Sequence, residues 1–136
     1  MRKIILLILT INSTLAFAQF GLNFHQSSLP FIGINYEIKD RFRPELRLAT
    51  DNFIEALAGE IDLMYDVINR DEFEFYAGVG ARNGDFNGLT IPIGVNMYPF
   101  QEKKFGFHIE LTPLVGESTV LRGSWGIRYR LSKKKD

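Results

Sequence analysis

The chain contains no cysteine, which excludes disulfides, redox thiols and thiolate metal sites. It has no surplus of either charge. Sixteen basic side chains stand against sixteen acidic ones, so the composition offers nothing suited to a phosphate backbone and no nucleic-acid partner is expected. It also has no apolar run of the roughly 20 residues that a membrane helix needs; the stretch from Ile4 is interrupted at Thr10 and ends at Asn12. From Gln19 onward it lacks any sustained 3.6-residue apolar stripe, which removes the amphipathic helix as a building unit. What is present is a chain of 136 residues, 46% apolar, with twelve Gly, twelve Phe and five Tyr. That is the composition of one domain built from short strands and turns.

The first residues read as a targeting segment. Arg2 and Lys3 form a positive n-region, Ile4 to Ile11 an apolar h-region, and Ala16-Phe17-Ala18 a small-x-small cleavage site before Gln19. Residues 1–18 are therefore expected to be a cleaved secretory signal peptide and residues 19–136 a single barrel domain. Cleavage removes two of the sixteen basic side chains and none of the acidic ones, leaving a mature charge near −2. With no cysteine to acylate, a lipoprotein anchor is excluded.

Beyond Gln19, apolar and polar residues alternate in eight stretches: 20–25, 31–38, 43–49, 54–67, 72–80, 89–98, 105–113 and 120–131. Gly, Asn, Asp, Ser and Pro clusters separate them, including the loop from Asn83-Gly84 to Asn87-Gly88. Connections this short hold no crossover helix, so the strands must form an antiparallel meander. One parity is almost wholly apolar, as in Ile32, Ile34, Leu46, Leu48, Ile61, Leu63, Ile91, Ile93, Ile109, Trp125 and Ile127. The other mixes charge with glycine, as in Gly33, Asn35, Glu37, Arg43, Glu45, Arg47, Gly94, His108, Glu110, Arg122 and Arg128.

Three features turn the apolar face toward lipid. All six Lys after residue 18 lie in turns or the tail, while the strand cations are Arg43, Arg47, Arg122, Arg128 and Arg130. A confined lumen favours Arg, whose planar fork bonds several carboxylates at once. The polar face is rich in Gly, which weakens a solvated strand but makes room inside a narrow barrel. The aromatics Phe20, Tyr36, Phe42, Tyr65, Phe73, Phe105 and Tyr129 crowd one end of their strands, where an interfacial girdle is expected, with Phe24, Phe53 and Phe86 as a thinner opposite girdle. Eight strands of about 9–11 residues fit the 118 residues from 19 to 136, and an open edge would leave unpaired N–H and C=O groups in hydrocarbon. The predicted fold is an all-β, closed, antiparallel, eight-stranded up-and-down transmembrane barrel.

The last strand reads Gly123-Ser-Trp-Gly-Ile-Arg-Tyr-Arg-Leu131. With the signal segment and the inverted pattern, it makes residues 19–131 resemble the small eight-stranded outer-membrane barrels of Gram-negative bacteria. In that family an alternating last strand is read by the outer-membrane assembly machinery. Trp125, Ile127, Tyr129 and Leu131 match the alternation, although here the chain continues with Ser132-Lys133-Lys134-Lys135-Asp136. The resemblance implies an outer-membrane location, contact with membrane lipid and lipopolysaccharide, the assembly machinery as a partner, and a monomer.

Candidate chemistry is sparse. His108 and Glu110, with His25 on the same parity, could be an acid/base or metal trio, but a lumen charge network is the expected role. Nine strand carboxylates (Glu37, Glu45, Glu55, Glu60, Asp62, Asp66, Glu72, Glu74, Glu110) would pair with the five Arg. Glu55 has the wrong parity, so a bulge or strand boundary is expected near 56–59. Some outer-membrane barrels hydrolyse or transfer acyl groups of lipid A, for which Ser124 with His108 and Glu110 is the conceivable triad. Facing a packed lumen, it would be out of reach of an acyl chain. The sequence-based expectation is thus a structural or surface-interaction protein of the envelope, with no catalytic residues, cofactor or metal, and no open pore. The alternatives are a soluble lipocalin-like barrel around an apolar ligand and a lipid-modifying enzyme.

Overall fold

A computed structural model describes residues 3–6, 18–39, 41–50, 58–84 and 87–131, the side chains of residues 18 and 19 excepted. Residues 3–6 are helical. The rest form β1 (Ala18–Gln26), β2 (Phe31–Ile38), β3 (Phe42–Ala49), β4 (Gly59–Asn69), β5 (Phe73–Asn83), β6 (Gly88–Thr90), β7 (Ile93–Met97), β8 (Phe105–Gly116) and β9 (Thr119–Arg130). Every pairing is antiparallel; β1 to β5 and β8 to β9 pair in chain order, β6 and β7 each pair with both β5 and β8, and β1 also pairs with β9, Gly21 opposite Arg130 through Gln26 opposite Trp125. That last ladder closes the sheet on itself.

The closed sheet has eight staves, because β6 and β7 share one. Both lie between β5 and β8, and they are separated only by Ile91 and Pro92. Proline has no N–H to donate and so breaks the ladder at this point. The flanking bonds from Gly78 N to the Pro92 carbonyl (2.8 Å) and from Ile91 N to the Pro113 carbonyl (3.1 Å) keep the stave in line. The in-out alternation carries through the break: Thr90, Pro92 and Gly94 are buried, Ile91 and Ile93 exposed.

Several boundaries differ from the sequence reading. The fourth strand begins at Gly59 rather than Ile54, so a strand boundary sits where one was expected, and Glu55 lies outside the described residues along with Phe53 and Phe86. The fifth strand runs on to Asn83, three residues beyond the stretch 72–80 read from the sequence, and stops at the Asn83-Gly84 turn signal. Arg82 therefore belongs to a strand and points inward. Glu72, by contrast, precedes β5 and is exposed. A bulge between Asp66 and Ile68 leaves Val67 and Ile68 both outward.

Burial is inverted relative to a water-soluble core. Ile34, Ile61, Leu63, Val79, Leu89, Ile109, Leu111 and Trp125 are exposed on the outer wall, while among the described residues six Arg and seven Asp or Glu are buried inside. Near one end the wall carries edge-to-face pairs, Phe20 with Tyr36 at 4.7 Å and Phe42 with Tyr65 at 5.1 Å, and the Phe105–Phe107 pair at 5.5 Å. This end also carries the connections at 39–41, 70–72 and 98–104 and the ends of the barrel-forming chain.

Candidate functional site: the charged lumen

Alternation sends every second side chain of each strand inward, and register sets which of them meet. Glycines fall opposite the bulky residues: Gly33 opposite Arg47, Gly94 between Tyr76 and Glu110, Gly126 between His25 and His108. A Cβ at Gly94 would come within 2.5 Å of Tyr76 Oη, so the missing side chain is the space the tyrosine occupies.

Arg47 is the hub of the upper lumen. Its Nη1 and Nη2 each donate to Glu110 at 2.8 Å, Nε donates to Glu45 at 2.5 Å, and Nη1 also reaches Glu60 at 3.1 Å. Glu110 accepts two further bonds, from Tyr76 Oη and Thr112 Oγ1, both at 2.6 Å. Glu60 accepts a fork from Arg122 (2.8 and 2.9 Å) and one bond from Arg82 (3.1 Å). Charge-assisted, bidentate bonds of this kind are the strong members of their class. Strands β3, β4, β5, β8 and β9 are thereby joined across the interior.

A second cluster lies nearer the aromatic end. Arg130 bonds Glu74 through Nη2 and lies 3.3 Å from Glu37 through Nε, while Arg43 Nη1 reaches Asp66 at 3.4 Å. Glu37, Asp66 and Glu74 are the one trio among the described residues whose ligand atoms lie close enough together for a metal. The guanidinium groups of Arg43 and Arg130 already take that role.

Aromatic and apolar side chains fill what the charges leave. The guanidinium carbons of Arg47 and Arg122 each lie 4.6 Å from the Phe31 ring centroid, that of Arg43 4.6 Å from Tyr76, and that of Arg130 4.1 Å from Tyr98. Such faces attract a desolvated cation. Phe31, Tyr98, Met64 and Leu114, all fully buried, do not stand out in the sequence, although strict parity with Gly33, Asn96, Asp62 and Thr112 places each of them inside.

The predicted chemical groups are rearranged. Ser124 Oγ meets His25 Nδ1 at 3.2 Å, not His108, and His25 Nε2 lies 3.9 Å from Glu45. His108 lies against His25, ring centroids 3.8 Å apart and tilted by 37°, with its Nε2 unbonded, and Glu110 is taken up by Arg47, Tyr76 and Thr112. Arg128 does not join Arg122, Glu110 and His108 in one network. Its Nε and Nη2 make no hydrogen bond, and its nearest aromatic face is Tyr98 at 5.9 Å.

No protein-family model matches the chain, and no curated protein sequence does. Among solved structures, the chain is similar to the N-terminal β-barrel domain of OprF from Pseudomonas aeruginosa. The TM-score is 0.61 at 14% identity, over 84% of this chain and 96% of that one. The likeness is one of fold: a small closed antiparallel barrel.

Proposed function

We propose that this protein is an integral outer-membrane barrel, exported by residues 1–18, that serves the envelope as a structural or surface-interaction protein and not as an enzyme. The observation that carries the reading is the inversion of burial. Among the described residues, a wall of Ile, Leu, Val, Phe and Trp faces outward around an interior of six arginines and seven carboxylates. In water such a wall would be an exposed apolar patch far beyond what soluble monomers tolerate. In hydrocarbon it is the favourable surface, and closure satisfies the backbone.

A lipocalin-like role would need an apolar cavity, whereas the inward face here is ionic and packed. The fold likeness to the OprF barrel domain supports the same reading, as does the alternating last strand, through which the assembly machinery and membrane lipid are the expected partners. The test is fractionation of the native producer. The protein should stay with the outer membrane after carbonate or urea washing, begin at Gln19 by mass spectrometry, and migrate differently on a gel before and after boiling. Release by the wash, with identical migration in both samples, favours the soluble rival.

A further inference from the structure

The two rims of the barrel carry opposite charge. Among the described residues, the connections after β1, β3, β5 and β8 hold Glu117 and no Lys, Arg or His. Among the described residues, the other rim holds Lys39, Arg41, Arg70, Lys103 and Lys104 against Asp71, Glu72 and Glu102. Every described lysine and arginine beyond residue 18 that is not sealed in the lumen lies on this second rim.

These cations are tied to the aromatic wall. The Arg41 guanidinium lies 6.0 Å from the Tyr65 ring and donates to the Asp66 carbonyl at 3.0 Å; that of Arg70 lies 5.9 Å from Phe73. Lys103 Nζ donates to the Tyr98 carbonyl at 2.9 Å, and Lys104 stands next to Phe105. An aromatic girdle marks headgroup depth, and cations beside it stand at the level of lipid phosphates.

We propose that the rim carrying Lys39, Arg41, Arg70, Lys103 and Lys104 binds the headgroups of anionic phospholipids in the leaflet it faces, and that the opposite rim does not. The assignment rests on the membrane reading. Lipid phosphates attract surface cations strongly enough that a preference of about two- to fivefold is expected. On the opposite rim, Glu117 is the one charged side chain among the described connection residues and opposes any such contact.

Trp125, the single tryptophan, stands 65% exposed midway along β9 and reports on the lipid beside the wall. The protein is reconstituted in phosphatidylcholine vesicles containing dibrominated phosphatidylglycerol or dibrominated phosphatidylcholine, and quenching of Trp125 gives their relative association. Phosphatidylglycerol should be preferred about two- to fivefold at low salt, and the preference should vanish at 0.5 M NaCl as screening shortens the reach of charge. Lys39→Gln combined with Arg70→Gln and Lys104→Gln should remove most of it, while Glu117→Gln leaves it unchanged. Equal quenching by both lipids in wild type, or a preference untouched by the triple substitution, overturns the headgroup assignment while leaving the membrane reading standing. A protein that enters no vesicle overturns both.

Discussion

Arg47 and Glu110 face each other through two parallel 2.8 Å hydrogen bonds, one on strand β3 and the other on β8, on opposite sides of the ring. Each partner is held by further groups: Arg47 by Glu45 and Glu60, Glu110 by Tyr76 and Thr112. Removing one member leaves the other charged and buried, which typically costs about 3–5 kcal/mol. Arg47→Ala should therefore lower unfolding stability in vesicles by about that amount, read from the urea midpoint. Arg128→Ala should cost distinctly less, because two of the Arg128 nitrogens have no partner to lose. Equal losses would mean that Arg47 is not the hub.

The glycines make a paired prediction. At Gly94 an added Cβ would lie 2.5 Å from Tyr76 Oη and 2.6 Å from the Ile109 carbonyl oxygen, and the backbone carbonyl cannot yield. At Gly123, on the outer wall, the nearest atom is Leu111 Cδ2 at 3.7 Å. Gly94→Ala should destabilise by about 1–3 kcal/mol as overpacking does. Gly123→Ala should be neutral or slightly stabilising, since Gly weakens a strand interior. The same urea titration compares them, and the ranking should not reverse.

The outer wall can be tested with one charge. Ile93 is exposed midway along its stave, between Ala77 and Leu111. At the bilayer midplane Ile93→Arg should cost about 2–4 kcal/mol. On a solvated surface the same change would stay within about 0.5 kcal/mol. Folding into vesicles with unchanged stability would show that this face does not meet lipid.

Which of these relationships the sequence disclosed follows from their range. Period-two alternation is local, so it separated Ile93 from Gly94 and Glu110 from Leu111 with no knowledge of the fold. It also called for closure, since edges in hydrocarbon are untenable. Arg82 falls outside the alternating stretch that ends at Gly80, because Gly78, Gly80 and the nearby Asn83-Gly84 signal an early turn, whereas the strand runs on to Asn83. Phe31 and Tyr98 stand at the ends of their alternating stretches, where apolar character conceals the inward parity they share with Gly33 and Asn96. The contact of Arg47 with Glu110 spans 63 residues and that of His25 with Ser124 spans 99. Such pairs exist only once shear and register are set, and nothing local encodes them.

The His25–Ser124 contact bears most directly on function. One imidazole nitrogen meets a serine hydroxyl at 3.2 Å, and the other lies 3.9 Å from Glu45, the order of nucleophile, base and orienting carboxylate used in acyl transfer. Catalysis also needs a substrate carbonyl within about 3 Å of the hydroxyl. Ser124 is 4% exposed, and His25 has Phe31 on it at 4.1 Å and His108 at 3.8 Å. The hydroxyl is enclosed by packed side chains and bonded to the imidazole, an arrangement that leaves no room for a substrate carbonyl. Incubated with phospholipid or lipid A in detergent, the folded protein should release no fatty acid by mass spectrometry. Ser124→Ala should cost only the about 0.5–1.5 kcal/mol of one buried hydrogen bond. Release that disappeared in Ser124→Ala and His25→Ala but persisted in His108→Ala would make this contact catalytic and overturn the structural assignment.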